Sequence, residues 1–288
     1  MNHLKSIIAI FTIALAFNFS IAQGKIQLEN SVLWKVEHSE LKEPSYIVGT
    51  LHMMCANEFE IPQKITQTLN KVNAIVMEVN FSDPQELKSI QESMSSSKKI
   101  SEELSKEQFD KLNALVTNVL GASLTNFDAY GLSILNTIMI QKMLPCTQIK
   151  SLDNELMQLA LKNQKPIYSL EKASEQMEIV KKAYPTEFAL KQILLFESYK
   201  KDFNEAIKAY KNEDISAAVD FITKEAYMNE NATNLMQIKR NKKWVEKMPS
   251  MMKERSNLFA VGAAHLTNEY GIIHLLREKG YTVTPVFN

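Results

Sequence analysis

Two histidines each stand three residues after a glycine that closes an apolar run: YIVGTLH at residues 46–52 and LFAVGAAH at residues 258–265. A glycine at the end of a strand lets the backbone turn tightly. A histidine three residues on can then face the crevice where strand ends gather in an α/β sheet. Two such imidazoles, His52 and His265, with one carboxylate would make a facial site for a divalent metal with room for water. A metal held there lowers the pKa of its water to about 7 and polarises a carbonyl. Taken singly, each histidine reads more readily as a hydrogen-bonded loop or core residue. Two copies in a chain with seven glycines and five histidines carry more weight.

Glu78 is the best candidate for the carboxylate. It interrupts the apolar run AIVMEVNF, and a carboxylate inside a buried strand needs a partner or a metal. The competing placement is a surface-facing position on an edge strand. Glu171 follows IYSL and reads as either a helix N-cap or a functional group, and Asp153 reads first as an N-cap. Arg240 lies among lysines in QIKRNKKW. A basic helical face is usually solvated, yet a guanidinium suits bidentate carboxylate recognition better than its neighbours do. His274 lies opposite the Ile272/Leu275/Leu276 face of its helix and should be exposed, and His38 has no nameable partner. The stripe through Met228, Leu235, Met236, Met248, Met251 and Met252 reads as core packing.

These residues need strands that end together. SVLWKVEHSE and SYIVGT read as a hairpin, and AIVMEVNF as a buried strand. Between them EIPQKITQTLNKV reads as a helix with Pro62 in its first turn. SKEQFDKLNALVTNVLG opens with a capping box at Ser105 and closes at Gly121. AYGLSILNTIMIQKM is apolar on most faces and should be buried, with Pro145 stopping it. A helix over DNELMQLALKNQK leads to a short strand ending at Glu171. The stretch 174–255 is helical, with breaks at Pro185, near Asn212 and near Asn229. NLFAVGAAH, a helix capped by Gly280, and the strand YTVTPVF complete the chain. The fold class is α/β (α+β), with a large helical middle. Pairing His52 with Glu78 and His265 with Glu171 hints at an internal duplication.

The chain has 288 residues and a formal charge of zero, with 33 basic and 33 acidic side chains, which leaves no footprint for nucleic acid. Residues 1–22 read as a secretory signal peptide: Lys5, the apolar IIAIFTIALAF, and SIA before Gln23. The mature chain, 23–288, would then be exported to the periplasm or secreted, with no transmembrane span. Export permits one disulfide between the two cysteines, Cys55 and Cys146, with two buried free thiols as the alternative. The bond requires the LHMMC loop to lie beside the KMLPC turn. The sequence sets no oligomeric state.

The chain resembles the TraB/GumN family, to which the Tiki-type proteases also belong. The match runs through LWKVEHSELKEPSYIVGTLH, IVMEVN, LDNELMQLALKNQKPIYSLEKASEQM, NLMQIKRNKKW and LFAVGAAHLTNEYGIIHLLREKGYTVTPV. The resemblance implies a sheet core of two related halves, like that of the erythromycin-esterase and haem-binding ChaN-like relatives. It also implies a divalent-metal-dependent protease using Gly49, His52, Glu78, Gly262 and His265, with Arg240, Asn241 and Glu171 at further family positions. Asn268 stands where the family has a glycine, which bears on the loop after His265. The leading expectation is an exported hydrolase of peptides or proteins, holding Mn, Co or Zn on His52, His265 and Glu78. Arg240 would orient a substrate carboxylate or oxyanion. The alternatives are a non-catalytic peptide- or haem-sequestering protein, or a metal-free esterase with a histidine base.

Overall fold

In the computed structural model, which describes residues 27–95 and 98–288, the apolar runs form strands around one central sheet. The expected signal peptide lies outside the described residues. The strands are β1 (Leu33–Glu37), β2 (Ser45–Thr50), β3 (Met54–Cys55), β4 (Ala74–Met77), β5 (Ile149–Lys150), β6 (Ile167–Ser169), β7 (Asn257–Gly262) and β8 (Thr282–Pro285). Six of them form a sheet in the order β6-β4-β7-β2-β1-β8. β1 and β2 pair antiparallel, as the expected hairpin, and β8 adds antiparallel to β1. β2, β7, β4 and β6 run parallel to one another. β7 is buried along its whole length, as a central parallel strand covered on both faces must be. Trp34, Ile47, Ile75 and Phe259 are fully buried around it. β3 and β5 make a separate ladder, Met54 opposite Lys150 and Cys55 opposite Ile149.

Helices cover the sheet where the apolar spacing predicts them. Pro62 precedes the helix Gln63–Lys71, which buries Ile65 and Leu69. Ser105 forms the capping box of Lys106–Leu120, and Gly121 closes it in the left-handed conformation at φ 67°. The helix Gly131–Gln141 departs from expectation. It buries Leu132, Leu135 and Met139 but leaves Ser133, Thr137 and Gln141 exposed, so its polar stripe faces outward. The middle section is helical over Ala173–Ala183, Thr186–Leu194, Phe196–Lys211 and Ile215–Ile222. It continues through Glu230–Thr233 and a π-helical turn, Asn234–Ile238, into Lys239–Glu254. Pro185, Asn212 and Asn229 sit at helix ends, as the sequence indicates. Among the described residues, no helix is long and apolar enough to cross a membrane.

Candidate active site

The four parallel strands end on one edge of the sheet, and each delivers a candidate residue there. β2 leads to His52, β4 to Glu78, β6 to Glu171 and β7 to His265. β2 and β7 are neighbours, with Gly49 opposite Val261 and Thr50 opposite Gly262. The two Gly-x-x-His motifs therefore meet side by side. Gly262 shows how closely: a Cβ there would lie 3.2 Å from His52 Nε2 and 3.4 Å from Glu78 Oε1. Its N–H donates to Glu78 Oε1 at 2.8 Å. Glu78 Oε1 lies 3.7 Å from His265 Nε2. Gly49 admits the returning loop, since a Cβ there would come within 3.1 Å of Leu266.

Asp153 supports His52. Its Oδ2 lies 2.9 Å from His52 Nδ1, and its Oδ1 accepts from Thr50 Oγ1 at 2.6 Å. It is not the N-cap of its helix: Ser151 holds that position and accepts from Asn154 N–H. The Asp153 charge raises the pKa of the largely exposed His52 to about 9, and Glu78 adds to the rise. Asp153 thus favours the imidazolium form of His52, whose ring lines a cavity. Burial opposes the charge on Asp153, but His52 and the Thr50 hydroxyl outweigh it and hold the carboxyl below its usual range.

Beneath this pair lies a buried ionic network. Arg240 donates from Nε to Glu171 Oε1 (3.1 Å) and from Nη2 to Glu171 Oε1 (2.7 Å) and Glu78 Oε2 (2.6 Å). Its Nη1 donates to the Met236 carbonyl (3.1 Å) and to His265 Nε2 (3.0 Å). Its donors are committed inside the protein, so it grips Glu78 rather than facing a substrate. Glu171 also takes Trp244 Nε1–H, and Lys172, not Glu171, precedes the next helix. His265 donates from Nδ1 to Asn241 Oδ1 at 2.6 Å, which leaves Nε2 as the acceptor for Arg240. Burial and the Arg240 charge push its pKa down to about 3, so it is neutral. Burial alone would raise the Glu78 pKa. With His265 neutral, Arg240, His52 and the Gly262 N–H hold it well below the usual carboxylate range.

The other candidates stand apart from the cluster. His274 is half-buried, not fully exposed, and pairs with Glu278 at 3.3 Å. The His38 ring packs against Tyr281, tilted by 36° with centroids 4.7 Å apart. Asn268 takes the left-handed conformation at φ 69°; asparagine tolerates it better than most non-glycine residues. Cys55 and Cys146 are bonded, with Cα atoms 5.8 Å apart. The bond ties β3 to the segment before β5, next to the His52–Asp153 pair.

A cavity of about 490 Å³ opens over His52, Glu78 and Asp153, with Met77, Val79, Phe81 and Met157 as its apolar wall. A second cavity, about 300 Å³ between Leu51, Phe59 and Tyr210, holds none of the candidate residues. For a divalent metal, His52 Nε2 and Glu78 Oε1 are suitably placed donors, and Asp153 behind His52 is the usual outer partner of a metal-bound imidazole. His265 does not fit as the third donor, because its Nε2 lone pair already receives Arg240. Among the described residues, no group of three or more His, Cys, Asp or Glu is arranged to hold a metal ion.

Two contributors escape sequence reasoning: Asp153 in its role behind His52, and Gln176, which donates to both Glu78 (3.2 Å) and Glu171 (3.1 Å). Asp153 is 101 residues from its partner, and Gln176 lies in an ordinary amphipathic helix. Comparison with curated proteins and with solved structures gives no match. The strand ends that deliver these side chains fall within a family-level match described as TraB/PrgY/gumN, which spans residues 32–285, and the chain belongs to that family.

Proposed function

We propose that this is an exported hydrolase that cleaves peptide bonds at the His52–Glu78 cleft. One observation carries the reading: His52 Nε2 and Glu78 Oε1 both pack against Gly262, and both side chains line the same open cavity. At neutral pH one is a cationic donor and the other an anionic acceptor. A water between them gives a proton to Glu78 as its oxygen attacks the scissile carbonyl. His52 Nε2–H meets the developing oxyanion and then protonates the leaving amine as the C–N bond breaks. Proton return from Glu78 to His52 through solvent resets the site. Arg240 and Gly262 fix Glu78, Asp153 fixes His52, and Asn241 fixes the tautomer of His265. Export rests on the segment 1–22 and is consistent with the Cys55–Cys146 bond.

A second reading is favoured by the Asp153–His52 arrangement: a divalent ion (Mn, Co or Zn) that His52 and Glu78 would hold and that would supply an activated water. The pH dependence of kcat/KM separates the two. Catalysis by protonated His52 falls as pH rises through about 9, and it survives chelators. The metal reading requires unprotonated His52, so activity rises over that range and is lost on chelation. Absence of hydrolysis of any peptide under either condition would overturn both readings and leave a sequestering role.

A further inference from the structure

We propose that the cavity selects a substrate with a large, uncharged apolar side chain beside the scissile bond. This rests on the hydrolytic reading above. The apolar wall comes from the elements that carry the reacting groups. Met77 and Val79 flank Glu78 at the end of β4, and Phe81 follows them. Met157 lies one helical turn after Asp153, so both share a helix face. A side chain seated on this wall is therefore within reach of the bond held between His52 Nε2 and Glu78 Oε1.

Depth and charge point the same way. Met77, Val79 and Met157 are buried at 4%, 1% and 8% exposure, while Phe81 is 42% exposed and forms the mouth. The ionic groups lining the cavity are already matched: His52 with Asp153, and Glu78 with Arg240 and Gln176. A charged substrate side chain would lose water there and find no free counter-charge. Two methionines in the wall make the seat adaptable, so leucine, methionine and phenylalanine should all be accepted.

The test uses blocked hexapeptides differing at one residue next to the cleaved bond: Ala, Leu, Phe, Lys or Glu. kcat/KM is measured with the mature chain, residues 23–288, and binding to its Glu78→Gln variant is measured by calorimetry. Leu and Phe should exceed Ala by roughly 10- to 100-fold in kcat/KM and in affinity, with Lys and Glu below Ala. Phe81→Ala, which removes the apolar mouth of the cavity, should reduce the advantage of the Phe peptide over the Ala peptide. Cleavage without that order, or with a charged residue preferred, would overturn the inference and leave the hydrolytic reading standing. Binding in that order without cleavage would support the inference and sink the hydrolytic reading. Neither binding nor cleavage would overturn both.

Discussion

Replacing Arg240 with methionine should be the most damaging single change in the network. The side chain is 4% exposed, and its carboxylate partners Glu78 and Glu171 are 13% and 1% exposed. Methionine fills much of the space but removes the donors to both carboxylates, to His265 and to Met236. Two acidic groups are then left in a buried site without their cation. Breaking a buried pair by removing one partner costs about 3–5 kcal/mol. At about 2–4 °C per kcal/mol for a chain of this size, Tm should fall by roughly 6–20 °C. Urea unfolding and calorimetry measure the two quantities. Adding Glu171→Gln to Arg240→Met should recover part of the loss, because one orphaned charge is removed. Arg240→Met within about 1 kcal/mol of wild type, or a double variant less stable than the single one, would refute the reasoning.

Asp153→Asn should lower the His52 pKa from about 9 toward its ordinary 6.5, read from the imidazole resonances by NMR. The pair stabilises the fold fully below pH 6.5 and loses that contribution as pH rises through about 9, so the variant's stability deficit should shrink across that window. Reduction, or Cys146→Ser, opens a loop of sequence separation 91 and should cost roughly 4–5 kcal/mol in the chain-entropy model, checked by denaturant unfolding. Gly262→Ala places a methyl 3.2 Å from His52 Nε2 and 3.4 Å from Glu78 Oε1. Activity should fall by at least about tenfold with little change in Tm, because the His52 ring is exposed and can move aside.

Much of the frame is legible from periodicity and punctuation. The convergence of the two Gly-x-x-His strand ends, the β1–β2 hairpin and the capping box at Ser105 follow from local signals, and each forms as read. Glu78 is legible because an acid inside an apolar run demands a partner, though the sequence does not say that the partner is Arg240. The residues the sequence misreads or leaves open are those whose roles depend on distant contacts. Asp153 has the local look of a cap, but Ser151 takes that role and frees it for His52. Glu171 likewise leaves the cap position to Lys172 and takes Arg240 and Trp244. β3 and β5 are two residues each, too short for any alternation to show, yet their pairing brings Asp153 to His52. The Gly131–Gln141 helix reads as buried because it is apolar on most faces, and its high mean hydropathy hides the exposed stripe of Ser133, Thr137 and Gln141.

The central claim is that His52 and Glu78 form a hydrolytic pair, and cleavage of a mixed peptide library by wild type, His52→Ala and Glu78→Gln tests it most directly. The wild type should release new amino termini, and each variant should lose at least about 100-fold in rate while keeping its circular dichroism spectrum. A wild type that cleaves nothing, or folded variants that cleave as fast as wild type, would contradict the account.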